Sequence, residues 1–151
     1  MNEIQRIADQ LRRAYDGPAW HGPHVFDVLE GIDAEHAARK PIAAAHSIWE
    51  ITAHIRVWED VVLRRLRGEA YDPTPDEDWP PVSDTSQKAW LAVLASLRET
   101  HDELLAEIEK TPESRLEDLA PGSKRTLYIL LHGAVEHALY HAGQIAVLRK
   151  G

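Results

Sequence analysis

The chain has 151 residues, 44% apolar and 28% charged, which fits one globular domain with a real core and is short for two. Its net charge of −8 excludes the basic stripe that a nucleic-acid backbone demands, and the absence of cysteine excludes disulfides, thiolate metal sites and a cysteine nucleophile. No apolar stretch is long enough for a bilayer and no signal-like segment opens the chain. A cytoplasmic single domain over residues 1–151, with neither membrane nor nucleic-acid partner, is therefore expected.

In chain order, residues 2–16 carry Ile4, Ile7, Leu11 and Tyr15 at helical spacing, and Gly17-Pro18 should stop that helix. Residues 18–46 read as irregular, with short helical pieces around Pro23–Leu29 and Asp33–Arg39. Ser47 and Glu50 then form a capping box, predicting a helix to about Arg67 with Gly68 as its stop. Its stripe is Ile48, Ile51, Ile55, Trp58, Val62 and Leu66. The basic run Arg64–Arg67 falls where cations answer a helix dipole. Residues 69–83 hold four prolines and several acids, so a long loop is predicted, of a length that is often functional.

The third long helix is expected from about Asp84 to Lys110, with Trp90, Leu94, Leu97, His101, Leu104 and Ile108 on one face. After a second connector the last helix should start near Ser123 and end at Arg149-Lys150, cations suited to its dipole. With no strand-period segment and no repeat, these helices predict an all-α four-helix bundle with long connections.

The last helix holds His132, His137 and His141 in an otherwise apolar stretch. His137 and His141 are four apart and share the face of Leu127, Leu130, Ala134 and Ile145. Two imidazoles one turn apart can grip one divalent ion at about 2.0–2.1 Å. His132 points about 140° from His137 and reads as a packing or polar-contact residue. His54, beside Ile51, Ile55 and Trp58, can face the pair from the second long helix. Three histidines and an open position form the ligand set of many catalytic metal sites, while three separately satisfied core histidines are the alternative.

The remaining histidines give weaker signals. His101 can be a fourth ligand or a pocket wall, His21 and His24 belong to a turn around Gly22-Pro23, and His36 and His46 read as solvated. Glu50 is explained by its capping box, Glu136 reads as solvated or as a supporting neighbour of His137 rather than a ligand, and Glu59 is ambiguous. Two Glu-x-x-His motifs are missing, which excludes a di-iron carboxylate bundle. HExxH, G-x-S-x-G, P-loop and G-x-G-x-x-G motifs are absent too. Tyr140 cannot face an ion together with His137 and His141.

The segments AWHGPHVFDVLEGI, HSIWEITAHIRVWED and LLHGAVEHALYHAGQIAVLRKG resemble the DinB/YfiT-like superfamily of metal-binding four-helix bundles. The last is the most specific, an H-x-x-x-H pair followed by G-Q-I and a basic end. The resemblance places the family's ligand trio on His54, His137 and His141, which is the trio reached from the residues alone. It implies one divalent ion, zinc or nickel first, with iron or manganese also compatible. Relatives include thiol S-transferases using bacillithiol or mycothiol, a mycothiol-dependent maleylpyruvate isomerase, and proteins described as metal-dependent hydrolases. The implied reading is an S-transferase that activates a small-molecule thiol against an electrophilic substrate, shaped as a homodimer. A hydrolase using metal-bound hydroxide, or a non-catalytic metal-stabilised binding module, is the alternative. Trp79 on the proline-rich loop, Trp20 and the 18–46 segment are expected to shape the pocket mouth.

Overall fold

The computed structural model describes residues 1–151 and is all-helical. Its elements are α1 (Glu3–Asp16), α2 (Val25–Leu29), α3 (Ala34–Ala38), α4 (Ile48–Leu66), α5 (Pro75–Asp78), α6 (Gln87–Lys110) and α7 (Leu127–Leu148), with a 3₁₀ segment at Glu113–Glu117. The long helices α1, α4, α6 and α7 form the bundle, in which α1 and α4 each pack against both α6 and α7. No helix is long and apolar enough to cross a membrane.

Local chemistry sets the boundaries. Ser47 Oγ accepts from the Glu50 amide at 3.2 Å while the Glu50 carboxylate takes the Ser47 amide at 2.7 Å, so both orphan donors at the start of α4 are satisfied. Gly68, at φ 94, supplies the left-handed turn beyond α4. Three expectations need correction. Helix α6 starts at Gln87 rather than Asp84, because the Asp84 carboxylate accepts the Ser86 amide in a tight turn and Ser86 is the cap. Helix α7 starts at Leu127 rather than Ser123. Residues 118–127 close a bridge instead, with Ala120 N–H donating to the Arg125 carbonyl and Leu127 N–H to the Asp118 carbonyl, both at 2.9 Å. Within the 69–83 loop, Thr74 and Glu77 form a capping box around Pro75, enough for the single turn of α5.

The basic ends also differ from simple dipole partners. Arg149 donates to the carbonyls of Asp27, Val28 and Glu30 at 2.9–3.1 Å, closing the C-terminal end of α2 from the end of α7. Arg67 reaches across to Glu103 and Glu107 on α6.

The core is one cluster drawing on all four long helices and on α2 and α3. Trp90 is 0% exposed, packs against Trp49 and donates its indole N–H to the Ile32 carbonyl at 2.7 Å. It thereby ties the irregular 18–46 segment to α6 and α4. Trp90→Ala should cost about 3–5 kcal/mol, read as a lower urea midpoint with an unchanged m-value.

Candidate metal centre

His54 sits two turns into α4, and His137 and His141 one turn apart on α7, so the contact of α4 with α7 brings three rings together. His54 and His141 are 6% and 5% exposed, and His137 is half-buried. The Nε2 atom of His137 lies 3.1 Å from Nε2 of His54 and 3.1 Å from Nε2 of His141. All three ligand atoms fall within 4.8 Å of one another. A tetrahedral ion at 2.0–2.1 Å from each nitrogen requires separations of about 3.3 Å, so the spacing suits one ion.

The opposite ring nitrogens decide which form each imidazole takes. His54 Nδ1 faces two acceptors, the Asp78 carbonyl at 3.0 Å and the Asp78 carboxylate at 2.9 Å. His141 Nδ1 donates to Gln144 Oε1 at 2.6 Å. A proton on each Nδ1 leaves the Nε2 lone pairs of His54 and His141 turned toward the shared centre. His137 can offer at most one proton to two such lone pairs. The centre is therefore rich in acceptors and poor in donors, an environment that a cation satisfies. Burial first, then the neighbouring His141 and His54, push His137 down to about 3, and burial likewise lowers His141. Both rings are held in the neutral, ligating form.

Asp78 belongs to α5, inside the proline-rich loop, and is fixed by the Trp58 indole N–H at 2.7 Å. Trp79 stacks on His54 at 3.8 Å and on His46 at 3.6 Å, placing one indole between two imidazoles. The loop thus covers one face of the centre, as expected of Trp79. Trp20 does not take part. It is 102% exposed and lies in a groove beside Val135 and Leu139, because the 18–46 segment reaches the site only at its far end, through Ile42, Ala45 and His46. His46, read as solvated, keeps a half-exposed side chain but has one ring face on Trp79.

His101 is not a fourth ligand. It is 0% exposed, stacks on Tyr15 at 3.9 Å, and pairs through Nδ1 with the Glu59 carboxylate at 3.0 Å. Glu59, ambiguous by sequence, is thereby a buried interior carboxylate whose pKa is raised by burial against the opposing pull of His101. His132, expected as a packing or polar-contact residue, packs against Tyr128 at 4.4 Å, and its Nε2, 3.7 Å from Glu3, has no hydrogen-bond partner. His24 caps α2, His21 reaches the Pro23 carbonyl at 3.0 Å, and Glu136 is exposed. His36 is half-buried on α3 and its Nε2 has no partner, so it is not simply solvated. Sequence reasoning missed the roles of Asp78 and Gln144. Gln144 was within reach as the residue one turn after His141, whereas Asp78 comes from a loop whose return path no local pattern reveals.

Two cavities meet the centre. One, of about 520 Å³, is lined by all three histidines together with Glu59, Tyr15 and Arg65. The other, of about 690 Å³, is largely apolar and touches the centre only through His141 and Trp79, with Tyr140 at the mouth of both.

A helical bundle with a largely buried cluster of three converging imidazoles beside a cavity defines a class of candidate metalloproteins. The DinB superfamily model matches residues 19–145, and the chain belongs to that superfamily. No curated protein and no solved structure matches the chain.

The low pKa of His137 has a consequence for the metal-free protein. A histidine ordinarily titrates near 6.5, so below that pH the unfolded chain binds a proton that the folded chain refuses until about 3. Stability of the metal-free protein should therefore fall from about pH 6.5 toward pH 3. Urea midpoints across this range should decline less steeply in His137→Gln than in the parent.

Proposed function

We propose that the chain is a divalent-metal-dependent S-transferase whose ion is held by His54, His137 and His141. The observation that carries this reading is the convergence of three Nε2 atoms at 3.1 Å contacts on the wall of a 520 Å³ cavity. Zinc or nickel is the ion proposed, with iron or manganese as alternatives; three imidazoles accept zinc, nickel, copper and ferrous iron about equally. A divalent ion with an open position lowers the pKa of a thiol or water bound there. The chain has no cysteine, so the thiol is a separate small molecule and the second substrate is its electrophile.

The protein's own residues supply orientation and shelter. Asp78 and Gln144 hold the His54 and His141 rings, and Trp79 shields His54 from water on one face. Conserving the ring orientation matters because removal of such a partner typically weakens metal binding about 10–100-fold. Exposed Ile42, Tyr140 and Val147 around the apolar cavity offer a face for the homodimer expected from the resemblance, in a cytoplasmic setting. Hydrolysis is the second reading, favoured by one observation. Glu59 is among the residues lining the same cavity, and a carboxylate is a group able to accept a proton from water.

Gently purified, untagged protein should carry about one equivalent of metal per chain by elemental analysis. His137→Ala should carry none, and Gln144→Ala should bind about 10–100-fold more weakly. An empty parent that takes up no zinc, nickel or manganese would sink the proposal. Metal-loaded parent should also transfer added thiols to an electrophile such as chlorodinitrobenzene, with turnover abolished by chelation. Turnover of esters or amides without thiol would instead select the hydrolytic reading.

A further inference from the structure

The α5 turn stands between the two cavities at the centre. Asp78, its last residue, lines one and Trp79, the next residue, lines the other, while Tyr140 and His141 line both. The turn is lightly attached. Residues Thr74–Glu77 are exposed, and no residue of α5 is fully buried. Its anchorage centres on His54. Asp78 offers the His54 Nδ1–H a carbonyl at 3.0 Å and a carboxylate at 2.9 Å. Trp79 lies on the same imidazole at 3.8 Å, with the two rings 3° from parallel. His46 stacks on the indole as well, at 3.6 Å and 7°. Rotation of the indole alone would break both stacks, so Trp79 leaves His54 only when the turn itself moves.

Both attachments to His54 depend on what its Nε2 holds. An ion there shares part of its charge with the ring, which makes the Nδ1–H a stronger donor to the Asp78 carboxylate. The same charge draws the imidazole to the electron-rich face of the indole, an attraction that a neutral ring lacks. The Trp58 indole N–H on the Asp78 carboxylate, at 2.7 Å, is by contrast an anchor indifferent to the ion.

We infer that the α5 turn is an ion-coupled latch, drawn shut over His54 by a bound divalent ion, and that Trp79 is the positioning residue that retains the ion in return. The coupling is reciprocal, because an ion that favours the shut turn is held more tightly by it. Opening uncovers the His54 ring and joins the two cavities across the turn. The inference rests on the three-histidine metal site of the proposed function and is independent of the thiol chemistry.

Hydrogen exchange on the full-length chain reads the turn directly. The Asp78 and Trp79 amides donate to the carbonyls of Thr74 at 2.8 Å and Pro75 at 3.1 Å, bonds that exist only while the turn is formed. The Gly22 amide, bonded to the Ala19 carbonyl in a turn on another face, is the reference. Zinc added to the metal-free parent should slow exchange at Asp78 and Trp79 at least about five-fold and leave Gly22 unchanged. Trp79→Ala should lose most of that slowing and release zinc to excess EDTA about 2–30-fold faster, the range that a cation–π contact covers. Trp79→Phe, whose ring has a weaker face, should fall between, and it carries the test if Trp79→Ala does not fold. Release at the parent rate from a folded variant overturns the inference, as does zinc that leaves the parent's Asp78 and Trp79 amides unchanged. Either result leaves the metal site standing. A parent that takes up no zinc overturns both.

Discussion

Three imidazoles that turn their Nε2 nitrogens toward one point are the constraint on which the site depends. Hydrogen bonding among His54, His137 and His141 cannot satisfy every lone pair, because two of the three ring protons are committed outward to Asp78 and Gln144. Burial makes protonation of His137 a poor remedy, since it would place a charge in a desolvated site beside two other rings. A cation with nitrogen preference would relieve the arrangement, and a cavity adjoins the three rings. The outward partners Asp78 and Gln144 are therefore as much part of the centre as the three rings.

Around this centre the bundle interior is unusually polar. Glu59, His101 and Tyr15 occupy positions on α4, α6 and α1 that a simple bundle would fill with leucine. Removing one member of a buried charged pair typically costs about 3–5 kcal/mol, whereas replacing the whole set with apolar residues is often neutral. Glu59 and Tyr15 are both buried and act on one another, each shifting the other's pKa.

The covering of the centre is divided between rigid and irregular segments. Helices α4 and α7 place the three rings, and the single turn of α5 brings Asp78 and Trp79 over them. A capping box and one proline suffice for that turn, so a stretch that reads as loop carries an ordered lid of two residues. The His46–Trp79–His54 stack then joins the end of the 18–46 segment to the same lid. Trp20, chemically similar to Trp79, stays outside because its part of the chain runs beside α1 and α7 on another face.

Much of the local order decided within four residues was legible in the sequence, although the Thr74–Glu77 box of α5 and the Asp84–Ser86 turn escaped it. The Ser47–Glu50 box, the stop at Gly68, the stripes of α1, α4 and α6 and the shared face of His137 and His141 all belong to the legible part. The starts of α6 and α7 were misplaced because a side-chain turn at Asp84 and a backbone bridge at Leu119–Thr126 compete with helix formation there. The alignment of α4 with α7, the capture of His54 by Asp78, the pairing of His101 with Glu59 and the run of cavity from imidazoles to arginines were decided only in three dimensions. Each joins residues tens of positions apart. Helical periodicity states which face a side chain occupies, but the partner across that face is chosen by how whole helices pack.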